Sequence, residues 1–524
     1  MTEPARGEPE APDRSGGGAG DAAGRAVFLL LVLGVGWRLL RYAQNFALSD
    51  DESFVVLNLM DGDWASVLEP ARAQVAPALF LWAEKAALGV FGPSEYGLRL
   101  LPLAAGLLGL VLFWRLANRA LPPVAAVLAT GLLSVSYFPI RFSSEIKPYS
   151  FDLLTAVVLL QLALRVREDP GRLRPLRLLV FLAPLLVLFS YPSCLVVACV
   201  SAVLLPAVWR HPDWRAKALF VAYNVAALAV FLVAYLRVGV GQFQGQGGFS
   251  NEFWQLHRAF PPAGPWALLV WLFQLATGLV FAYPLGDVTG AASLTFLLSV
   301  AGAAALRRSA RPGVLAICLL SFAATFAVAA ARLYPFGPHP RIAQHLAAPI
   351  CLLAGAGIAA LVEARNASPA VAHRRMRRVM TFFAVIGLAG VAVDLLQPYR
   401  SRRDEAFRSL ATELRSKAGR EDLVVFYQDP EQERERPSPL QFYVRKERLR
   451  VSWADLPDLD ASPQPRQVWV IAYWLTAPPE ILKKRLESAR PPFAMVSEVP
   501  YALRMGTGST EPIPCSVSHW RRPS

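Results

Sequence analysis

Long apolar runs, each closed by a short polar or basic stretch, set the rhythm of this chain. A helix needs about 20 mostly apolar residues to cross a bilayer. Stretches of that kind fall at roughly 26–44, 98–117, 122–140, 149–166, 176–191, 193–209, 216–237, 290–306, 312–332, 342–362 and 376–396. The fifth and sixth meet at "SYPS", a tight turn marked by Pro192. The pattern predicts a polytopic α-helical membrane protein of about 11 spans, or 12 if a further apolar segment crosses. That segment, 265–285, carries Trp266, Trp271 and Tyr283, which suit a membrane interface.

Basic clusters decide between the two counts. "RLANR", "REDPGRLRPLR", "RHPDWRAK", "RRSARP" and "AHRRMRR" separate or end the spans. All five share one side if the N-terminus is cytoplasmic and there are eleven crossings, as the positive-inside rule requires. Counting 265–285 as a crossing would misplace "RRSARP" or "AHRRMRR", so this segment is expected to lie in the outer interface or to re-enter. Four segments then face outward: 45–97, the loop "FPIRFSSEIKPYS", the stretch from "VGVGQFQGQGGFSNEFW" to Pro284, and "RLYPFGPHPRIAQH". The chain divides into a disordered cytoplasmic tail (1–25), a membrane domain (26–397) and an extracytoplasmic tail (398–524). In that tail, "DEAFRSLATELRSKAG" and "PEILKKRLESA" have helical periodicity, and "DLVVFY" and "RQVWVIAYW" read as strands. A soluble α/β domain is the expectation.

Composition agrees with this layout. Of 524 residues, 54% are hydrophobic and 18% charged, against about 25% charged in soluble domains. The mean hydropathy is +0.37. The net charge of +14 would suit nucleic acid, but the arginines sit in the short clusters that set topology, so no nucleic-acid partner is expected. The five cysteines are scattered without metal-ligand spacing, and no disulfide framework is expected.

Candidate chemistry gathers at the outward edge. "SDDES" begins the first outward loop, and Ser49 or Asp50 is placed to cap a short surface helix. One acid serves a cap; Asp51 and Glu52 remain, and a carboxylate there can take a proton from an acceptor hydroxyl. The second loop packs Arg141, Glu145, Lys147 and Tyr149 into one turn. The fourth brings Arg332, His339, Arg341 and His345 to the outer face, against the usual charge bias. Binding a phosphate would explain cations there. Interfacial anchoring, with Arg141 neutralising Glu145, is the plainer alternative.

In order and placement these pieces resemble the membrane-embedded glycosyltransferases that use polyprenyl-phosphate sugars. This C-type superfamily includes protein O-mannosyltransferases, the aminoarabinose transferase of lipid A and Rgt-like enzymes. The family's acidic pair in a long first external loop is similar to Asp51-Glu52. Its "Q-x-x-P" element resembles "QVAPALFLW" (Gln74, Pro77), although a single proline stands here where the family often has two. "FGPSEYGLRLLPLAAGLL", "SSEIKPYSFDLL" and "YPFGPHPRIAQHLAAP" resemble further elements, and the likeness runs from about residue 26 to 362. Tyr191 stands where many relatives carry a His or Tyr.

The resemblance implies an integral-membrane enzyme that moves a sugar from a polyprenyl-phosphate donor to a glycan, lipid or protein acceptor outside the cytoplasm of a plasma (inner) membrane. Polyprenyl phosphate leaves readily, so cations and one base suffice, and single displacement would invert the anomeric carbon. Asp51 is then the expected base, with Glu52 orienting it, placing the acceptor or contributing to a metal site. Arg341, Lys147 and Arg141 are the candidates for the donor phosphate. Glu145, Tyr149, Gln74 and His339 complete the candidate substrate site. No cofactor is diagnosed; a divalent metal is left open by the acids. The rival readings are a transporter or flippase and a non-catalytic relative that binds a lipid-linked sugar. Against transport, the charges gather at the outer rim and the spans are mostly free of them.

Overall fold

The computed structural model describes residues 17–69, 74–244, 254–286, 290–309, 311–336, 340–364, 368–397, 405–419, 422–428, 438–453, 464–473, 478, 480–503 and 513–523. Every one of the eleven apolar stretches contains a helix. Eight helical stretches are long and apolar enough to cross a membrane by length and composition: Gly24–Ala43, Glu95–Ala120, Tyr149–Glu168, Ser193–Arg210, Trp214–Gln242, Pro312–Ala330, Pro340–Val362 and Pro369–Leu396. Leu173–Phe189, Ala291–Arg308 and the 12-residue Pro123–Ser134 are the other three. The first helix begins at Gly17, inside the stretch assigned to the N-terminal tail.

Two devices hold the bundle together. The first and last long helices are tied by a buried group: Arg41 pairs with Asp394 at 2.8 Å, and Trp37 donates to the same oxygen at 2.7 Å. Ala291–Arg308 and Ala347–Val362 meet backbone to backbone. A Cβ on Gly302 would stand 1.8 Å from the carbonyl oxygen of Leu353, and one on Gly357 1.9 Å from that of Leu298. Small residues permit such approach between apolar helices. Ala347–Val362 is almost wholly buried, so the turn before it, which carries Arg341, is mounted on a fixed element.

The segment 265–285 does not form one long helix. Pro265–Thr277 has 13 residues and ends at Gly278, followed by a 3₁₀ turn, Leu279–Phe281. At 1.5 Å per residue that helix is about 20 Å long, short of the roughly 30 Å hydrocarbon core. Trp266, Leu269 and Phe273 are exposed, while Trp271 turns inward and donates to the carbonyl oxygen of Arg258 at 2.7 Å. Tyr283 is buried as well.

Beyond Leu396 lies a five-stranded mixed sheet. Its strands are β1 (Leu423–Gln428), β2 (Arg450–Trp453), β3 (Gln467–Tyr473), β4 (Ala494–Leu503) and β5 (Ile513–Arg521), in the order β2-β1-β3-β5-β4. β1 is parallel to β2 and β3; β5 runs antiparallel to β3 and β4. Leu423, Val425, Val468 and Val470 pack with Leu482 and Leu486 of the helix Glu480–Glu487. Val424, Phe426 and Ile471 pack with Phe407, Leu410, Leu440 and Tyr443 from the helices Glu405–Lys417 and Ser438–Lys446. That second core continues without a break into Val55, Val56, Leu59 and Phe80 of the first loop. Sheet domain and first loop therefore share one hydrophobic cluster.

Candidate active site in the cleft beneath the C-terminal domain

The first loop supplies a helix, Asp50–Asp61, whose start is specified locally. Ser49 is the N-cap, and the place offered to Asp50 as cap is thus taken by its neighbour. Ser49 Oγ accepts from the backbone N–H of Glu52 at 3.4 Å, and Glu52 Oε2 accepts from the Ser49 backbone N–H at 3.0 Å, a reciprocal capping box. Three acids in the first turn are favourable there, because unpaired N–H groups give that end a partial positive charge. The far end is closed by Lys85, whose ammonium donates to the carbonyl oxygens of Leu59 and Gly62, each at 2.6 Å.

Glu52 and Asp51 then part company. Glu52 is 1% exposed. Its Oε1 accepts from Arg99 Nη2 at 2.9 Å, Arg99 Nε at 3.2 Å and the backbone N–H of Ile146 at 3.0 Å. Arg99 Nη1 also donates to the carbonyl oxygen of Phe46 at 2.5 Å. One carboxylate therefore fastens the first loop, the helix Glu95–Ala120 and the loop before Tyr149 to one another. Asp51 faces the cleft with half its side chain exposed and bonds Arg341 Nη1 at 2.5 Å. The cleft walls desolvate its carboxyl, which raises the pKa. Lys147 and Arg341 outweigh that effect and hold it below the usual carboxylate range.

The loop before Tyr149 and the turn before Ala347 bring the cations. Lys147 is 8% exposed, and its ammonium makes no hydrogen bond or ion pair among the described residues. Burial pushes its ammonium pKa down, and Asp51, Glu52 and Glu145 only partly offset this. Arg141 Nε pairs with Glu145 Oε1 at 2.8 Å. Tyr149 sets its ring edge against Phe142, 4.9 Å between centroids, within electrostatic reach of Arg341, Asp51 and Glu145. Arg341 lies over the ring of Trp254 at 5.3 Å. Asp51, Lys147, Tyr149 and Arg341 thus converge from three separate segments.

Gln74 is elsewhere in role. It is buried, and its Oε1 accepts from Asn58 Nδ2 at 3.1 Å, bracing the loop helix from behind. The adjoining Ala76 is pinned by Gln242 through two 3.1 Å bonds, and the Tyr191 hydroxyl lies 3.1 Å from Ala76 O and 2.8 Å from Gln242 Oε1. His339 lies outside the described residues. Among the described residues no three His, Cys, Asp or Glu side chains converge in a way that could hold a metal ion.

Several contributors carry no signal in the sequence. Arg99 hides in an apolar span. Trp254 sits in a polar loop. Tyr443 and Arg408 come from the C-terminal domain. The backbone N–H of Leu48 donates to Tyr443 Oη at 2.8 Å, and Arg408 Nη1 donates to the carbonyl oxygen of Asn45 at 2.6 Å. Arg445 pairs with Asp61, and Lys446 with Glu95.

Residues 75–236 match the family model described as dolichyl-phosphate-mannose-protein mannosyltransferase. No curated protein sequence matches the chain significantly. Among solved structures, the chain is similar to ArnT from Cupriavidus metallidurans bound to undecaprenyl phosphate, with 15% identity and a TM-score of 0.56 over 94% of this chain and 97% of that one. The apo state of the same protein gives 15% identity and a TM-score of 0.54 over 95% and 98%. The chain therefore shares the overall fold of ArnT along nearly its whole length, and the mannosyltransferase family model matches within that fold over residues 75–236.

Proposed function

We propose that this protein transfers a sugar from a polyprenyl-phosphate donor to an acceptor hydroxyl outside the cytoplasm, at the plasma (inner) membrane, with its N-terminus cytoplasmic. One observation carries the reading: a carboxylate, Asp51, faces Arg341 and Lys147, each from a different segment. The family match and the fold shared with ArnT support it. Arg341 can engage two phosphate oxygens, and the Lys147 ammonium has no hydrogen bond or ion pair among the described residues. Arg141, already paired with Glu145, is the weaker third cation.

The step needs little machinery. Asp51 takes the proton of the acceptor hydroxyl. The freed oxygen pair attacks the anomeric carbon as its bond to the phosphate oxygen breaks, and that electron pair remains on the polyprenyl phosphate. Arg341 and Lys147 balance the added charge. A single in-line displacement inverts the anomeric centre. Tyr149 and Glu145 stand nearest as contacts for the sugar.

A deletion strain carrying either the wild-type gene or Asp51→Asn tests this by mass spectrometry of envelope glycans and lipid-linked sugars. The variant should lack one glycan modification and accumulate its lipid-linked donor. A glycan profile restored to wild type by Asp51→Asn would remove Asp51 as the base.

A further inference from the structure

The opposite end of the bundle holds a second charged cavity. Where the helices Glu95–Ala120 and Tyr149–Glu168 end side by side, a groove of about 700 Å³ is lined by Trp114, Arg115, Arg119, Gln161, Arg165 and Glu168. The structural demands of this corner are already met. Arg119 pairs with Glu168, tying the two helix ends together. Arg311 Nη1 donates to the carbonyl oxygens of Ala120 at 2.9 Å and Arg119 at 3.3 Å, closing the first helix. The guanidinium groups of Arg115 and Arg165 are left with no hydrogen bond or ion pair among the described residues, and the Nε of Arg165 is shielded from solvent without an acceptor. Three guanidinium groups therefore face one carboxylate, and two of the three lack an anion.

The surface leading away from the groove is apolar. On the helix Glu95–Ala120, Leu108 and Val111 are exposed, and they precede Arg115 by seven and four residues, the spacing of one helix face. Trp114 is exposed beside them, and indole rings favour a membrane interface. A hydrocarbon track thus runs up to a cationic pocket between two helices.

We propose that this groove binds the headgroup phosphate of an anionic phospholipid from the leaflet on the arginine-rich side, with an acyl chain along Leu108 and Val111. The phosphate would accept from Arg165 and Arg115, supplying the anion that this corner lacks. A zwitterionic lipid would bring its ammonium toward the same guanidinium groups, so the site should discriminate against it. A free phosphate would leave the apolar track without purpose. The proposal is independent of the sugar-transfer reading, since it concerns the other face of the molecule.

Native mass spectrometry of the detergent-purified full chain, titrated separately with phosphatidylglycerol and phosphatidylcholine, tests it. Wild type should retain one phosphatidylglycerol roughly tenfold or more tightly than Arg115→Gln/Arg165→Gln, since each surface cation contributes about 1 kcal/mol toward an anionic lipid. Phosphatidylcholine should bind both proteins alike. Leu108→Gln/Val111→Gln keeps the arginines and should also weaken phosphatidylglycerol binding. Equal retention of phosphatidylglycerol by wild type and the arginine variant would overturn the proposal. So would displacement of the lipid by millimolar inorganic phosphate with no effect of the Leu108/Val111 change, which would mark a site for soluble anions.

Discussion

Asp51 and Glu52 show how adjacent side chains of one type acquire opposite tasks. Successive helical positions are about 100° apart, so the turn that sends Asp51 to the cleft sends Glu52 into the core. Glu52 has both oxygens occupied. Replacing it by Gln leaves Arg99 buried beside a neutral partner, and breaking a buried pair costs about 3–5 kcal/mol. Glu52→Gln should therefore lower the thermal unfolding midpoint in detergent by several degrees, whereas Asp51→Asn, half exposed, should leave it nearly unchanged. Asp51 has another consequence. It pairs with Arg341, so under the proposed function a donor phosphate has to compete with it. Asp51→Asn should bind undecaprenyl phosphate about tenfold more tightly, some 1.4 kcal/mol. Arg341→Ala should bind it about ten- to a hundredfold more weakly, since a charged hydrogen bond contributes about 1.5–3 kcal/mol. Unchanged affinity in both variants, measured in nanodiscs, would send the donor site elsewhere. An incoming phosphate would also raise the Asp51 pKa, making it a better base only once the donor is present.

Elements were legible in proportion to their repetition of one pattern. The apolar stretches announce themselves because a bilayer asks for the same thing throughout. Pro265–Thr277 required a further argument, the sidedness of the arginine clusters, because its composition alone matches a span. The expected outcome there is that single cysteines at Ser309 and Ser368, in a background without native cysteines, both resist an impermeant thiol reagent in intact cells. Labelling of only one would show a miscounted crossing. In the C-terminal domain, the sequence revealed β1 and β3, whose apolar runs are central and buried. It did not reveal β4, an edge strand with Met495, Val496 and Val499 all exposed, because no alternation of burial marks it. The helix Ser438–Lys446 also went unseen: Pro439 stands in its first turn, and its apolar residues find their partner in the first loop.

At the scale of the molecule, the C-terminal domain is part of the candidate site's frame. The segment before Asp51 is held at Asn45 by Arg408, at Phe46 by Arg99, at Leu48 by Tyr443 and at Ser49 by Glu52. Two of these four supports come from beyond residue 400. No local pattern could reveal them, since contacts between distant segments leave no periodicity in either. Tyr443→Phe keeps the ring and removes only the acceptor for the Leu48 N–H. Hydrogen exchange of the amides in residues 46–52 should then accelerate about tenfold, for a loss near the 1–3 kcal/mol of an unsatisfied buried donor, while the exchange of the spanning helices stays as in wild type. Identical protection in residues 46–52 would show that the hydroxyl does not hold the loop.

The bond between Leu48 and Tyr443 joins residues 395 positions apart. With translation at about 5–20 residues per second, roughly 20–80 s pass between synthesis of the acidic loop and synthesis of its last support. During that interval the loop waits with its cleft unfinished. The last of the loop's four supports thus arrives with the final quarter of the polypeptide. A premature stop before Tyr443 would leave a helical bundle in the membrane without a completed cleft.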